Sequence, residues 1–127
     1  MAERKNGHIL TITSDAGRRA FPGLAVYSGT KFYLEAFISA LRQENVENGI
    51  RFTNIQPGDV ATSLARRSTD TEAREKYDAS EAGHKILDCS DVAQVSSVRS
   101  LTLFSLPKFS LCFFAFLSPH TWQSMNY

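Results

Sequence analysis

Cysteine is scarce in this sequence. Its two thiols, Cys89 and Cys112, lie far apart, with no His or Cys at metal-ligand spacing. That argues against a disulfide framework and against a zinc site, and it points to a reducing compartment, read here as cytoplasmic. Net charge is equally scarce: 14 Lys and Arg face 13 Asp and Glu, a formal charge of +1. No field of one sign favours nucleic acid or an anionic membrane, so neither is expected as a partner. The start, Met1 to Gly7, is charged and polar and lacks the apolar run of a secretory signal. Only residues 101–117 are apolar enough to raise the question of a span, and Pro107, Lys108 and scattered serines interrupt them. A spanning helix needs about 20 predominantly apolar residues, so membrane insertion is not expected. No internal repeat is visible, and no acidic residue follows Asp91.

What remains is a chain of 127 residues, 43% apolar, enough for one domain with a modest core. His8 to Thr13 is short, β-branched and apolar, bounded by Gly7 and by Ser14-Asp15, the pattern of a buried parallel strand. Residues 15–23 hold two glycines and a proline and read as a loop. Residues 26–46 read as a long helix with an apolar stripe of Phe32, Ala36, Ala40 and Leu41, widened by Leu34, Phe37 and Ile38. Gly49 stands where a helix stop belongs. Ile50 to Ile55 forms a second strand, halted by Pro57-Gly58. Strand, loop, helix, strand is a right-handed crossover unit of an α/β sheet. Residues 68–77 read as a short exposed helix, and Ser90-Asp91-Val92-Ala93 as an N-cap opening another.

Tyr27-Ser28-Gly29-Thr30-Lys31 sets a phenol and an ammonium four residues apart, on one helix face. A phenol is a poor base at neutral pH, and a neighbouring ammonium favours the phenolate, which brings it into the range of general acid–base chemistry. Taken alone, the pair is ordinary helix-surface chemistry. Context raises it: Ser14 lies thirteen residues earlier, at the C-terminal end of the first strand, the end where open α/β sheets bind ligands. A strand-end serine also commonly caps its own loop. Pro57-Gly58 and Thr62, after the second strand, line the same sheet edge. His8, at a strand start with no evident partner, reads as a surface residue. Cys89 has nothing nearby to activate it. Gly29, inside the helix, either permits close helix–helix approach or is simply tolerated.

In order and spacing these pieces resemble the second half of the short-chain dehydrogenases/reductases. The likeness runs through Gly7 to Ser14, Ala16-Gly17 to Pro22, Tyr27 to Lys31 and Leu41-Arg42-Gln43-Glu44, then through Gly49-Ile50-Arg51-Phe52 and Gln56 to Thr62. The resemblance implies a partial Rossmann-like, doubly wound parallel sheet over residues 1–93. It implies NAD(P)-dependent hydride transfer between nicotinamide and a secondary alcohol or ketone, with NADP somewhat favoured over NAD. Tyr27 would be the proton donor or acceptor. Lys31 would favour the phenolate and hydrogen-bond the nicotinamide ribose, and Ser14 would polarise the substrate carbonyl. Pro57, Gly58, Val60 and Thr62 would hold the nicotinamide end of the cofactor. No metal is implied. Full-length members of such a family would be homo-oligomers acting on small alcohols or carbonyl compounds.

The sequence departs from the family pattern in three places. It contains no Thr-Gly-x-x-x-Gly-x-Gly phosphate loop, and no Asn-Ala-Gly segment or structural asparagine ahead of the first strand. After residue 93 the expected last helix and strand give way to a Ser/Phe/Leu-rich segment, 94–127, expected to be poorly ordered. The expectation is a truncated or spliced catalytic half, inactive alone. A rival reading is a non-catalytic fragment that pairs with full-length subunits through the 27–46 helix.

Overall fold

The computed structural model describes residues 1–77, 86–102 and 113–115. Strand β1 (Gly7–Ile12) leads through a 3-10 turn at Asp15–Gly17 into helix α1 (Ala25–Glu44), which returns the chain to β2 (Ile50–Pro57). Helices α2 (Thr71–Tyr77) and α3 (Cys89–Thr102) follow, and Phe113–Ala115 forms β3. The sheet order is β1-β2-β3, all parallel, with Gly7 level with Ile50 and Ile12 with Ile55. This is a partial α/β fold of the expected kind. Helix α3 continues past residue 93 and β3 adds a strand to the sheet. Residues 103–112 and 116–117 of the apolar stretch lie outside the described residues. Among the described residues, no helix is long and apolar enough to cross a membrane.

Strand β2 is the middle strand, and that position explains its burial: residues 52–57 are all buried, whereas β1, at an edge, is mostly half-buried. Side chains alternate across a strand. Phe52, Asn54 and Gln56 therefore share one face of β2, and hydrogen bonds from Asn54 and Gln56 to Glu35 show that α1 covers it. The opposite face carries Thr53 and Ile55. There His8 bonds Thr53, Nε2 to Oγ1 at 3.0 Å. His8 is thus half-buried and partnered rather than a plain surface residue. Burial, and then the Arg51 charge, push its imidazole below the ordinary histidine range.

Helix α1 buries a different stripe from the one its hydropathy suggests. Ser28 and Ile38 are buried, with Lys31, Leu34, Glu35, Leu41 and Arg42 half-buried along the same side, whereas Phe32, Ala36, Phe37 and Ala40 are exposed. The physical reason lies in the sheet: its α1-facing surface ends in polar side chains, which demand polar partners from the helix. The helix ends at Glu44, where the Asn45 side chain donates to the Leu41 carbonyl at 2.8 Å. Gly49 then turns the chain at φ 63°, and a Cβ there would collide with the Lys5 carbonyl, so both its conformation and its crowding require glycine.

The later helices start earlier or later than their polar residues suggest. Helix α2 is capped by Asp70, whose carboxylate accepts the Ala73 N–H at 3.0 Å. Before α3, the Asp91 carboxylate reaches back to the Asp88 N–H at 2.9 Å. Asp88 therefore occupies the cap position expected of Ser90, with Asp91 closing the box from the third helical position.

Candidate active site

Strand β1 ends at the point where three elements meet. Thr13, one residue past the Ile12–Ile55 pair, donates its N–H to the Ile55 carbonyl at 2.8 Å, so the chain is still held to β2 there. Its own carbonyl accepts a hydrogen bond of 2.9 Å from the Lys31 ammonium on α1. Ser14 follows directly and is buried. Its Oγ accepts the Ala16 N–H at 3.1 Å and donates to Asp15 Oδ1 at 3.1 Å. The hydroxyl thus caps the 3-10 turn, the commoner employment of a strand-end serine.

Tyr27 sits in the first turn of α1, half-buried, with the Lys31 ammonium 5.6 Å from its ring centre. The four-residue spacing places both side chains on one side of the helix. Burial lowers the Lys31 ammonium below the ordinary lysine range, because desolvation disfavours its charged form. Gly17 fits closely under this part of the helix: a Cβ would lie 3.1 Å from Glu35 Cγ and 3.2 Å from the Lys31 carbonyl. Glycine therefore lets the Ser14 turn pack directly on α1. Gly29, by contrast, faces open space, with nothing within 4 Å of a Cβ built there.

The residues expected to hold a nicotinamide lie along the same edge. Pro57 ends β2 and is buried, and Gly58 is exposed with no atom within 4 Å of a notional Cβ. Val60 forms a parallel bridge with Leu87, which the Ala61 N–H and Asp59 carbonyl reinforce at 2.8 and 3.0 Å. The Thr62 hydroxyl accepts the Leu64 N–H at 3.3 Å. A lysine ammonium has three protons, and Lys31 commits one to Thr13. Two remain for other acceptors such as ribose hydroxyls. Those spare donors suit the ribose at the nicotinamide end of a dinucleotide, which Lys31 would be the residue to hold. Among the described residues, no group of three or more His, Cys, Asp or Glu could hold a metal ion.

Glu35 is the polar centre of this region and escaped the sequence reading. Its carboxylate accepts from Thr13 Oγ1 at 2.5 Å, Gln56 Nε2 at 2.6 Å and Asn54 Nδ2 at 2.8 Å. Gln56 passes the network on, accepting Arg18 Nε at 3.2 Å. Two signals were available. Glu35 continues the Tyr27–Lys31 spacing by one more turn, and Asn54 and Gln56 place amides at period two in an otherwise buried strand. Buried amides need partners, and a carboxylate on the covering helix supplies them.

Comparison with known proteins agrees with this geometry. A sequence model described as short chain dehydrogenase matches residues 1–73. The chain is 52% identical over 93 residues to the glycine betaine reductase ATRR of Emericella nidulans, covering 73% of this chain and 7% of that protein. It is 41% identical over 80 residues to an uncharacterized oxidoreductase of Staphylococcus saprophyticus, covering 61% of this chain and 32% of that one. Among solved structures, a serine dehydrogenase complexed with NADP+ superposes with a TM-score of 0.66 at 28% identity, over 84% of this chain and 42% of its own. The chain thus spans a third or less of the length of these two curated relatives. A parallel α/β sheet, matched by sequence across more than half the chain's length, makes this chain a member of the short-chain dehydrogenase family.

Proposed function

We propose that this chain carries the proton-transfer half of an NAD(P)-dependent oxidoreductase acting on a secondary alcohol or ketone. The observation that carries the reading is the Lys31 ammonium, which bonds the Thr13 carbonyl next to Ser14 and lies 5.6 Å from the Tyr27 ring centre, at the C-terminal end of β1. A bound nicotinamide would supply or accept the hydride. Tyr27 would donate its phenolic proton to the carbonyl oxygen in reduction and recover it in oxidation. Lys31 would favour the phenolate by its charge and bond the ribose with the protons that Thr13 leaves free. Ser14 would turn its hydroxyl from Asp15 towards the substrate oxygen. A hydrogen bond there gains strength as charge develops in the transition state.

Pro57, Gly58, Val60 and Thr62 would line the nicotinamide end, with NADP favoured slightly over NAD. Because this sequence has no Gly-rich phosphate loop, the segment is proposed to be inactive alone. The test is a chimera in which the phosphate-binding half of a short-chain dehydrogenase precedes this segment. Oxidation of NADPH or NADH by a panel of ketones is expected, and turnover that survives Tyr27→Phe would refute the proton role.

One observation favours the rival reading, a fragment that pairs with full-length subunits. The outer face of α1 exposes Val26, Phe32, Tyr33 and Phe37, with the last two rings stacked 5.9 Å apart. Exposed aromatic clusters of this kind mark contact surfaces. Co-purification with a full-length family member, lost in Tyr33→Asp and without cofactor binding, is the outcome that would support it.

A further inference from the structure

Resting on the oxidoreductase reading, we propose that Glu35 is the positioning residue of this site: by gripping Thr13, Asn54 and Gln56 together, its carboxylate fixes the Thr13 carbonyl that anchors Lys31. The geometry assigns each atom of the link. Thr13 is held by its N–H to Ile55, by its hydroxyl to Glu35 and by its carbonyl to Lys31. The three bonds together restrain the two peptide units that flank Thr13 and its side chain. Ser14 is the next residue, and its N–H belongs to the same peptide unit as the carbonyl that Lys31 holds.

The carboxylate does more than hold one threonine. Oε1 takes Thr13 and Gln56, and Oε2 takes Asn54. One side chain of α1 therefore locks the ends of both β1 and β2 to the helix that bears Tyr27 and Lys31. A carboxylate is acceptor-only and has about four lone-pair sites, which suits three converging donors. A glutamine in its place would set an N–H₂ against one of those donors. The arrangement selects for charge as well as shape, which a residue serving only as packing would not require.

The test uses the full 127-residue chain with ¹⁵N-labelled lysine side chains, the Lys31 signal being assigned by its loss in Lys31→Arg. In the unmodified chain, the Lys31 ammonium is expected to exchange its protons with water more slowly than the other lysines. Thr13→Val removes only the hydroxyl that Glu35 holds, leaving the Thr13-position carbonyl and the two amide bonds. Glu35→Gln keeps the volume and removes one acceptor oxygen. Each is expected to speed Lys31 proton exchange about tenfold, the size of one lost hydrogen bond to a charged group, while the backbone amide spectrum stays native. Glu35→Asp, which keeps a carboxylate one methylene short, is expected to fall between.

Unchanged Lys31 exchange in Thr13→Val overturns the proposal, as does a Lys31 signal in the unmodified chain as fast as that of the exposed lysines. If Glu35→Gln loses the fold, Thr13→Val and the unmodified chain still decide. The measurement needs neither cofactor nor turnover. An inactive chimera would therefore count against the oxidoreductase reading and leave this link intact.

Discussion

Tyr77, at the end of α2, donates its hydroxyl proton to the Pro22 carbonyl at 2.5 Å, and its ring lies edge-on against Phe21. One aromatic side chain thus clasps the segment after β2 to the loop after β1. Tyr77→Phe keeps the ring contact and loses the hydrogen bond. Since the bond is exposed, the expected cost is about 0.5–1 kcal/mol. It should be visible as faster amide exchange in α2 with little change in the global urea midpoint. Tyr77→Ala removes the ring as well and should loosen the segment further.

The three residues at the sheet edge should separate by kinetics in the chimera. Tyr27→Phe is expected to abolish turnover and to leave cofactor binding nearly intact, since only the ionisable hydroxyl is lost. General acid–base assistance is typically worth about 10² to 10⁴-fold. Lys31→Ala should damage both turnover and binding, because its ammonium serves phenol and ribose alike. Ser14→Ala should chiefly lower kcat. It should also loosen the 3-10 turn, whose Ala16 N–H loses its acceptor, so a thermal melt belongs beside the kinetics.

Cofactor affinity of the chain by itself is expected to be negligible. Pyrophosphate is normally held at a Gly-rich loop and helix N-terminus, and no Gly-rich motif of that form occurs in the sequence. Isothermal titration with NADH and NADPH checks this, and micromolar binding of either would contradict it.

His8 should make stability fall on acidification. Its folded-state pKa lies below the ordinary value, through burial first and the Arg51 charge second. The unfolded chain therefore takes up the proton more readily. The contribution of His8 is fully present above its unfolded pKa, near 6.5, and declines as pH falls from there towards the lower folded value. Urea midpoints measured on either side of this window should differ for the unmodified chain. The difference should shrink in His8→Gln, which retains a group able to bond Thr53 and cannot titrate.

Much of the architecture was legible before any coordinate. The β-branched run after Gly7, the turn chemistry at Gly49 and Pro57-Gly58 and the length between them specify a crossover unit, because backbone sterics and hydrophobic period act locally. The Tyr27–Lys31 pair was legible for the same reason: helical geometry alone brings residues four apart together. Helix caps were displaced by a residue or two, since Asp88 and Asp91 divide between them a task that Ser90 could also perform.

Which face of α1 meets the sheet was a tertiary decision. Local hydropathy favours Phe32, Ala36 and Ala40, yet the helix turns Ser28, Lys31, Glu35 and Ile38 inward. The choice depends on Asn54 and Gln56, some twenty residues away, whose buried amide N–H groups find their acceptor in Glu35. Only the fold brings those amides, Thr13 and Glu35 within hydrogen-bond reach. The sequence by itself therefore determined the elements and the Tyr27–Lys31 spacing, and the packing of α1 on the sheet decided how Thr13 anchors Lys31, because that contact joins groups that no local period relates.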